Sequence, residues 1–179
     1  MRIKGISLKN LAIVISDYLS RNGVETVLSG GACVAIYTNN KFMSYDLDFV
    51  LTSSDKQKTT KELLTKIGFC PENQYFRHSD TKYFLDFVPP PLSVGQELVK
   101  EIKEIKKGNR KLKLLSPTDC VKDRLTEFYY WNDFQCLEQA VLVGSDNNID
   151  LSEVARWSNK EGMDDKYKEF EMLLSERKT

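Results

Sequence analysis

The sequence predicts an α/β (α+β) chain: a small mixed sheet flanked by helices, followed by a mainly helical C-terminal region. Three observations carry this expectation. Over residues 1–91, short segments with apolar residues at every second position alternate with segments whose apolar residues recur at helical spacing. Pro89, Pro90 and Pro91 then close the last of these strands, because proline cannot donate to a ladder. From Leu92 the pattern turns amphipathic and lysine-rich, then helical to the end, so a soft boundary falls there, with a core over 1–91 and a helical region over 92–179 completing its cleft.

The elements follow in order. After Ser7, an expected N-cap, Leu8, Leu11, Ile15, Tyr18 and Leu19 recur at helical spacing until Asn22-Gly23 ends the run. "VETVLSG" reads as a strand closed by Gly30-Gly31, and "ACVAIYT" as one or two helical turns stopped at Asn39-Asn40. "YDLDFVLT" alternates, with Asp46, Asp48 and Val50 on one face and Leu47, Phe49 and Leu51 on the other. Ser53 or Ser54 is expected to cap a helix that runs to Lys66 and ends at Gly68. "QYFRHS" and "KYFLDFVP" read as a hairpin, with Asp86 on its second strand. "KEIKEIKKGNRKLK" reads as a solvated helix face broken at Gly108, and "LKLL" as a strand. "SPTD" starts a helix with Ser116 as cap and Pro117 at its first position, and the remaining helices break at "VGSDNN" and "KEGMDD".

Composition removes several classes of function. The 179 residues carry 26 basic and 26 acidic side chains, so no net field draws the molecule to nucleic acid or membrane. Contact with RNA must then come from a local patch, for which the basic run at 100–113 is the candidate. No stretch resembles a signal peptide or a membrane span, which implies a cytoplasmic protein without membrane partners. Cys33, Cys70, Cys120 and Cys136 lack C-x-x-C spacing and sit among apolar neighbours, as buried free thiols do.

Asp46 and Asp48 are the anomaly. Two carboxylates on one strand face repel by about 4 kcal/mol if held 4 Å apart at an effective dielectric near 20. A hard divalent cation relieves this, and magnesium takes one or two carboxylates together with substrate phosphates. Asp86 can face the same cleft, and a third carboxylate suits a pair of ions clamping an in-line displacement. Ser29, Gly30 and Gly31 suit the same chemistry, because a glycine turn opening a helix lets backbone amides approach an anion. The duller readings are an edge-strand D-x-D and a common turn.

Taken together, "LSGGACVAIY", "SYDLDFVL" and "YFLDFVP" resemble the signature of the nucleotidyltransferase-fold superfamily, which includes DNA polymerase beta, the minimal nucleotidyltransferases and the AbiEii-type toxins. In the AbiEii-like branch the first aspartates sit in R-x-[ST]-x-D-h-D; here "FMSYDLD" keeps Ser44 and puts Phe42 in place of the arginine. "SPTDCVKDRLTEFYYWNDFQCLEQA" is loosely similar to the branch's later helix, with Lys122, Arg124 and Asp133 in its charged positions, and to a string in small bacterial proteins. The resemblance implies that Asp46, Asp48 and Asp86 bind Mg2+ or Mn2+, with Asp86 also serving as general base. It further implies that Ser29, Gly30, Gly31, Ser44, Lys122 and Arg124 contact an NTP. The implied reaction moves a nucleoside monophosphate to a hydroxyl of RNA, protein or a small molecule. Two other classes stay open: a catalytically weak nucleotide-binding or regulatory module, and one component of a toxin–antitoxin pair. Read without the resemblance, Lys122 and Arg124 are solvated helix positions, Asp133 caps a turn or pairs with a neighbouring helix, and Tyr129, Tyr130, Trp131 and Phe134 are packing residues.

Overall fold

The computed structural model describes residues 3–178. Helix α1 (Leu8–Arg21) starts where Ser7 Oγ accepts from Asn10 N at 3.4 Å. Strand β1 (Thr26–Ser29) runs straight into α2 (Gly30–Tyr37), whose residues are apolar nearly all round because α1, α4 (Pro117–Trp131) and α5 (Phe134–Asp146) pack about it. Strand β2 (Asp46–Leu51) follows, with Leu47, Phe49 and Leu51 fully buried, each worth about 1.5–3 kcal/mol in removal from water. That anchorage fixes the register by which Asp46 and Asp48 face the other way.

A 3-10 turn at Ser54–Lys56 leads into α3 (Gln57–Lys66). Ser53 precedes it, but its hydroxyl bonds the Asp55 carboxylate and makes no cap bond to the helix. The hairpin of β4 (Tyr75–Arg77) and β5 (Phe84–Val88) forms as expected, and an additional short strand, β3 (Cys70–Glu72), pairs with β4. A small ribbon of β6 (Ser93–Val94) and β7 (Glu97–Leu98) comes next, held to α6 (Leu151–Lys160) by Glu97 with Arg156 (2.7 Å) and Lys160 (2.8 Å).

The basic run is not a helix. It forms an antiparallel pair, β8 (Ile102–Lys107) and β9 (Arg110–Leu115), joined at Gly108-Asn109. Leu112 and Leu114 are buried on β9, whereas β8 is an edge strand solvated over most of its length, so it lacks the alternation that marks a strand. Lys103, Lys106, Lys111 and Lys113 pair with Glu101, Glu104 and Glu25. Sheet order is β3-β4-β5-β2-β1-β9-β8, parallel at β2/β5 and β1/β9 and antiparallel elsewhere, so it draws strands from both sides of residue 92.

Helix α4 begins as expected, Ser116 Oγ accepting from Asp119 N at 3.1 Å, but ends at Asn132, whose φ of +53° turns the chain into α5. The breaks before α6 and α7 (Asp164–Lys178) lie where the sequence sets them. Cys33, Cys120 and Cys136 are buried free thiols, while Cys70 is exposed on β3. No helix among the described residues is long and apolar enough to cross a membrane.

Candidate active site

The pairing of β2 with β5 builds the site. In its parallel register Asp48 lies opposite Asp86, and Asp46 opposite Phe84. Neighbouring strands run about 4.8 Å apart, and residues two apart share a face, so the three carboxylates occupy one small area of sheet. On the other flank Ser29 pairs with Asp48 across β1, and Ser29 Oγ donates to the Asp48 carbonyl at 3.3 Å.

The chain then turns sharply into α2. Gly30 has φ of +66°, and a Cβ there would stand 3.1 Å from Asp48 Cγ, so the carboxylate rests on a bare Cα. A Cβ at Gly31 would meet Ser44 Oγ at 3.2 Å and the Phe42 ring at 3.7 Å. Gly30 is required by its backbone conformation and by the carboxylate lying against it, whereas a Cβ at Gly31 would ask Ser44 to give by a few tenths of an ångström. The Ser29 side chain makes no cap bond, so it leaves the first amides of α2 to other acceptors. Ser44 Oγ reaches Asp46 Oδ1 at 2.5 Å, and Asp86 Oδ1 accepts from Phe87 N at 2.7 Å.

The carboxyl of Asp48 is pushed up to about 7, first by burial and then by the charge of Asp46; Asp86 and Asp123 add to this and Arg124 opposes it. Helix α4 thus brings a charged pair to the cleft. Arg124 donates to Asp123 Oδ2 from Nε (3.0 Å) and Nη2 (2.6 Å), and its Nη1 lies 3.6 Å from Cys136 Sγ. Burial disfavours the guanidinium charge, but Asp123 outweighs it and the group stays protonated.

Similar architecture occurs in a nucleotidyltransferase-like antigenic protein from Paracoccidioides brasiliensis, with a TM-score of 0.61 and 15% identity over 79% of this chain and 77% of that one. The chain has the nucleotidyltransferase fold. The lincosamide antibiotic adenylyltransferase LnuA is also similar, with a TM-score of 0.56 and 16% identity over 79% of this chain and 99% of that one. A third likeness is to ANT(2")-Ia in complex with adenylyl-2"-tobramycin, with a TM-score of 0.50 and 12% identity over 95% of each chain. No family model and no curated protein sequence matches the chain.

Within this nucleotidyltransferase fold, Ser29, Gly30, Gly31, Ser44, Asp46, Asp48, Asp86 and Arg124 come together, and Lys122 stands apart. Its ammonium is buried between Asp119 Oδ1 and Glu153 Oε1, each at 3.1 Å, over the Trp157 ring at 5.7 Å. There it lines a charged cavity of about 450 Å3 shared with Glu97, Asp150, Arg156 and Lys160. Asp133 caps α5, accepting from Cys136 N at 3.0 Å. Tyr129 is buried, whereas Trp131 and Phe134 are exposed. Asp123 is the site residue that sequence reading passes over; its one signal is adjacency to Arg124, and it sits in a helix that also carries Asp119, Lys122 and Glu127.

Among the described residues no group of three or more His, Cys, Asp or Glu side chains is gathered closely enough to hold a metal ion as it stands. The donor set nevertheless fits a hard divalent cation. It is made of oxygen alone, and burial followed by the charge of Asp46 raises the proton affinity of Asp48, a cost that a positive charge relieves.

Proposed function

We propose that the protein is a divalent-cation-dependent nucleotidyltransferase that moves a nucleoside monophosphate from an NTP to a hydroxyl acceptor and releases pyrophosphate. The observation that supports this most is Asp48, in register with Asp86 and resting on the bare Gly30 Cα at the start of α2. In this reading the amides of Gly30 and Gly31 and the hydroxyls of Ser29 and Ser44 cradle triphosphate oxygens, aided by the α2 dipole. Asp46, Asp48 and Asp86 would hold Mg2+ or Mn2+, which when bound neutralises charge on the transferring phosphoryl oxygens. Asp86 takes the acceptor's proton through Oδ2, since Oδ1 is engaged by Phe87 N. Arg124, oriented by Asp123, supplies a fixed positive charge on the phosphate side. Lys122 is a positioning residue here, tying α4 to α6 through Glu153.

The Phe42 ring beside Gly31 gives a specific ground for a second reading, a nucleotide-binding module without turnover. Three intact carboxylates favour the first. Incubating the protein with each labelled NTP and Mg2+ separates the two: pyrophosphate release is expected, and Asp48→Ala is expected to reduce it at least about a hundredfold. Turnover that persists in this variant would refute the assignment.

A further inference from the structure

The face that carries the carboxylates continues over β5, β4 and β3, away from the glycine turn. Arg77 on β4 is paired with Phe84 on β5, which is paired in turn with Asp46. Two residues further along the same register, past Phe76 opposite Leu85, Tyr75 comes abreast of Asp86. The contacts agree: the Tyr75 and Phe84 rings meet edge to face at 5.2 Å, and the Arg77 guanidinium lies 5.0 Å over the Phe84 ring. Val88, on the same face, is 41% exposed. Arg77 also pairs with Glu72 at 3.2 Å, but both side chains are more than half exposed, so this contact is weak and easily exchanged.

We infer that Tyr75, Arg77 and Phe84 form the acceptor subsite beside Asp86, and that it takes the 3′-terminal nucleotide of a single-stranded RNA. The inference rests on the nucleotidyltransferase reading above. Under that reading the triphosphate lies against Gly30 and Gly31, on the β1 side of Asp48, and an in-line attack brings the acceptor from the opposite side. That side is the β5–β4 face. Aromatic rings and a guanidinium plane suit a stacked base, and Arg77 suits the adjoining phosphate, whereas a ribose hydroxyl falls toward Asp86. A polycationic acceptor is disfavoured, because beyond Asp86 the one carboxylate on this strip is Glu72, already facing Arg77. The step balances: the acceptor oxygen bonds to the α-phosphorus, the bond from that phosphorus to the β-phosphate bridge breaks, pyrophosphate leaves, and the hydroxyl proton passes to Asp86.

The test uses a single-stranded RNA oligonucleotide labelled with fluorescein at its 5′ end, followed by fluorescence anisotropy. Tyr75→Ala and Arg77→Glu should each weaken binding about tenfold or more while leaving the thermal shift by Mg2+ and NTP unchanged, which also verifies that the variants fold. In the transfer assay the RNA should grow by one nucleotide, and both variants should raise the KM for RNA more than they lower kcat. Absence of RNA binding, binding indifferent to both substitutions, or label passing to an aminoglycoside or a protein in preference to RNA would overturn the inference. RNA binding that depends on Tyr75 and Arg77, with no label moved to any acceptor, would leave the subsite standing and remove the transferase reading.

Discussion

At Asp48 a carboxyl that ordinarily titrates near 3.8 is pushed up to about 7 by burial beside Asp46 and Asp86, so the folded state holds its proton more tightly than the unfolded chain does. The stabilisation is therefore full below about pH 4 and is lost as the pH rises through about 7, with a ceiling of roughly 4 kcal/mol. Asp48→Asn removes the penalty. Without divalent cations its melting temperature should exceed that of the wild type by several degrees at pH 8 and match it at pH 4. A melting difference that ignores pH would remove this account of the site. The Asp48 pair and its glycine turn were legible in the sequence because each is a short-range pattern whose chemistry lies within a few residues. The place of Lys122 was not, because only its pairing with Asp119 three residues back is local, while Glu153, which draws it into the other cavity, lies 31 residues away.

An element with one buried and one solvated face is legible in the sequence, as is the wholly buried α2, whereas a strand with little covered face is not. Strand β2 alternates since one side is core, whereas β8 is an edge strand with little covered face, and its spaced isoleucines imitate a helix. The joint between α4 and α5 was hidden in the same way: Asn132 and Asp133 carry cap chemistry, but the surrounding aromatics continue a helical rhythm. A distant lysine closes that joint. Lys166 Nζ donates to the carbonyls of Phe128 (2.9 Å) and Tyr129 (2.6 Å) and to Asn132 Oδ1 (2.6 Å), satisfying the last turn of α4 from helix α7. Lys166→Met should take the donor from the Tyr129 carbonyl, the Phe128 carbonyl keeping its bond from Asn132 N, and lower stability in urea by about 1–3 kcal/mol, with NTP affinity little changed. No change in the urea midpoint would mean that water caps α4 equally well.

The sheet joins the two halves of the chain more tightly than the composition shift at Leu92 suggests. Strand β1 lies between β2 and β9, and the apolar helix α2 is enclosed by α1 on one side of that boundary and by α4 and α5 on the other. Cutting there would bare an unpaired strand edge together with Ala32, Cys33, Val34 and Ala35, all fully buried in the intact chain. The cleft has the same dependence, because β2 and β5 supply its carboxylates while Asp123 and Arg124 arrive on α4. One cooperative unit is therefore expected. In a urea titration, far-UV circular dichroism should report the whole chain, and tryptophan emission should report mainly Trp157, which is 0% exposed, since Trp131 is already 76% exposed when folded. The two signals should fall together at one midpoint, and the fragment 1–91 should fail to fold alone. Separate midpoints would mean that 92–179 stands as a domain of its own, and the charged pair on α4 would then reach Asp48 only when two independent bodies dock.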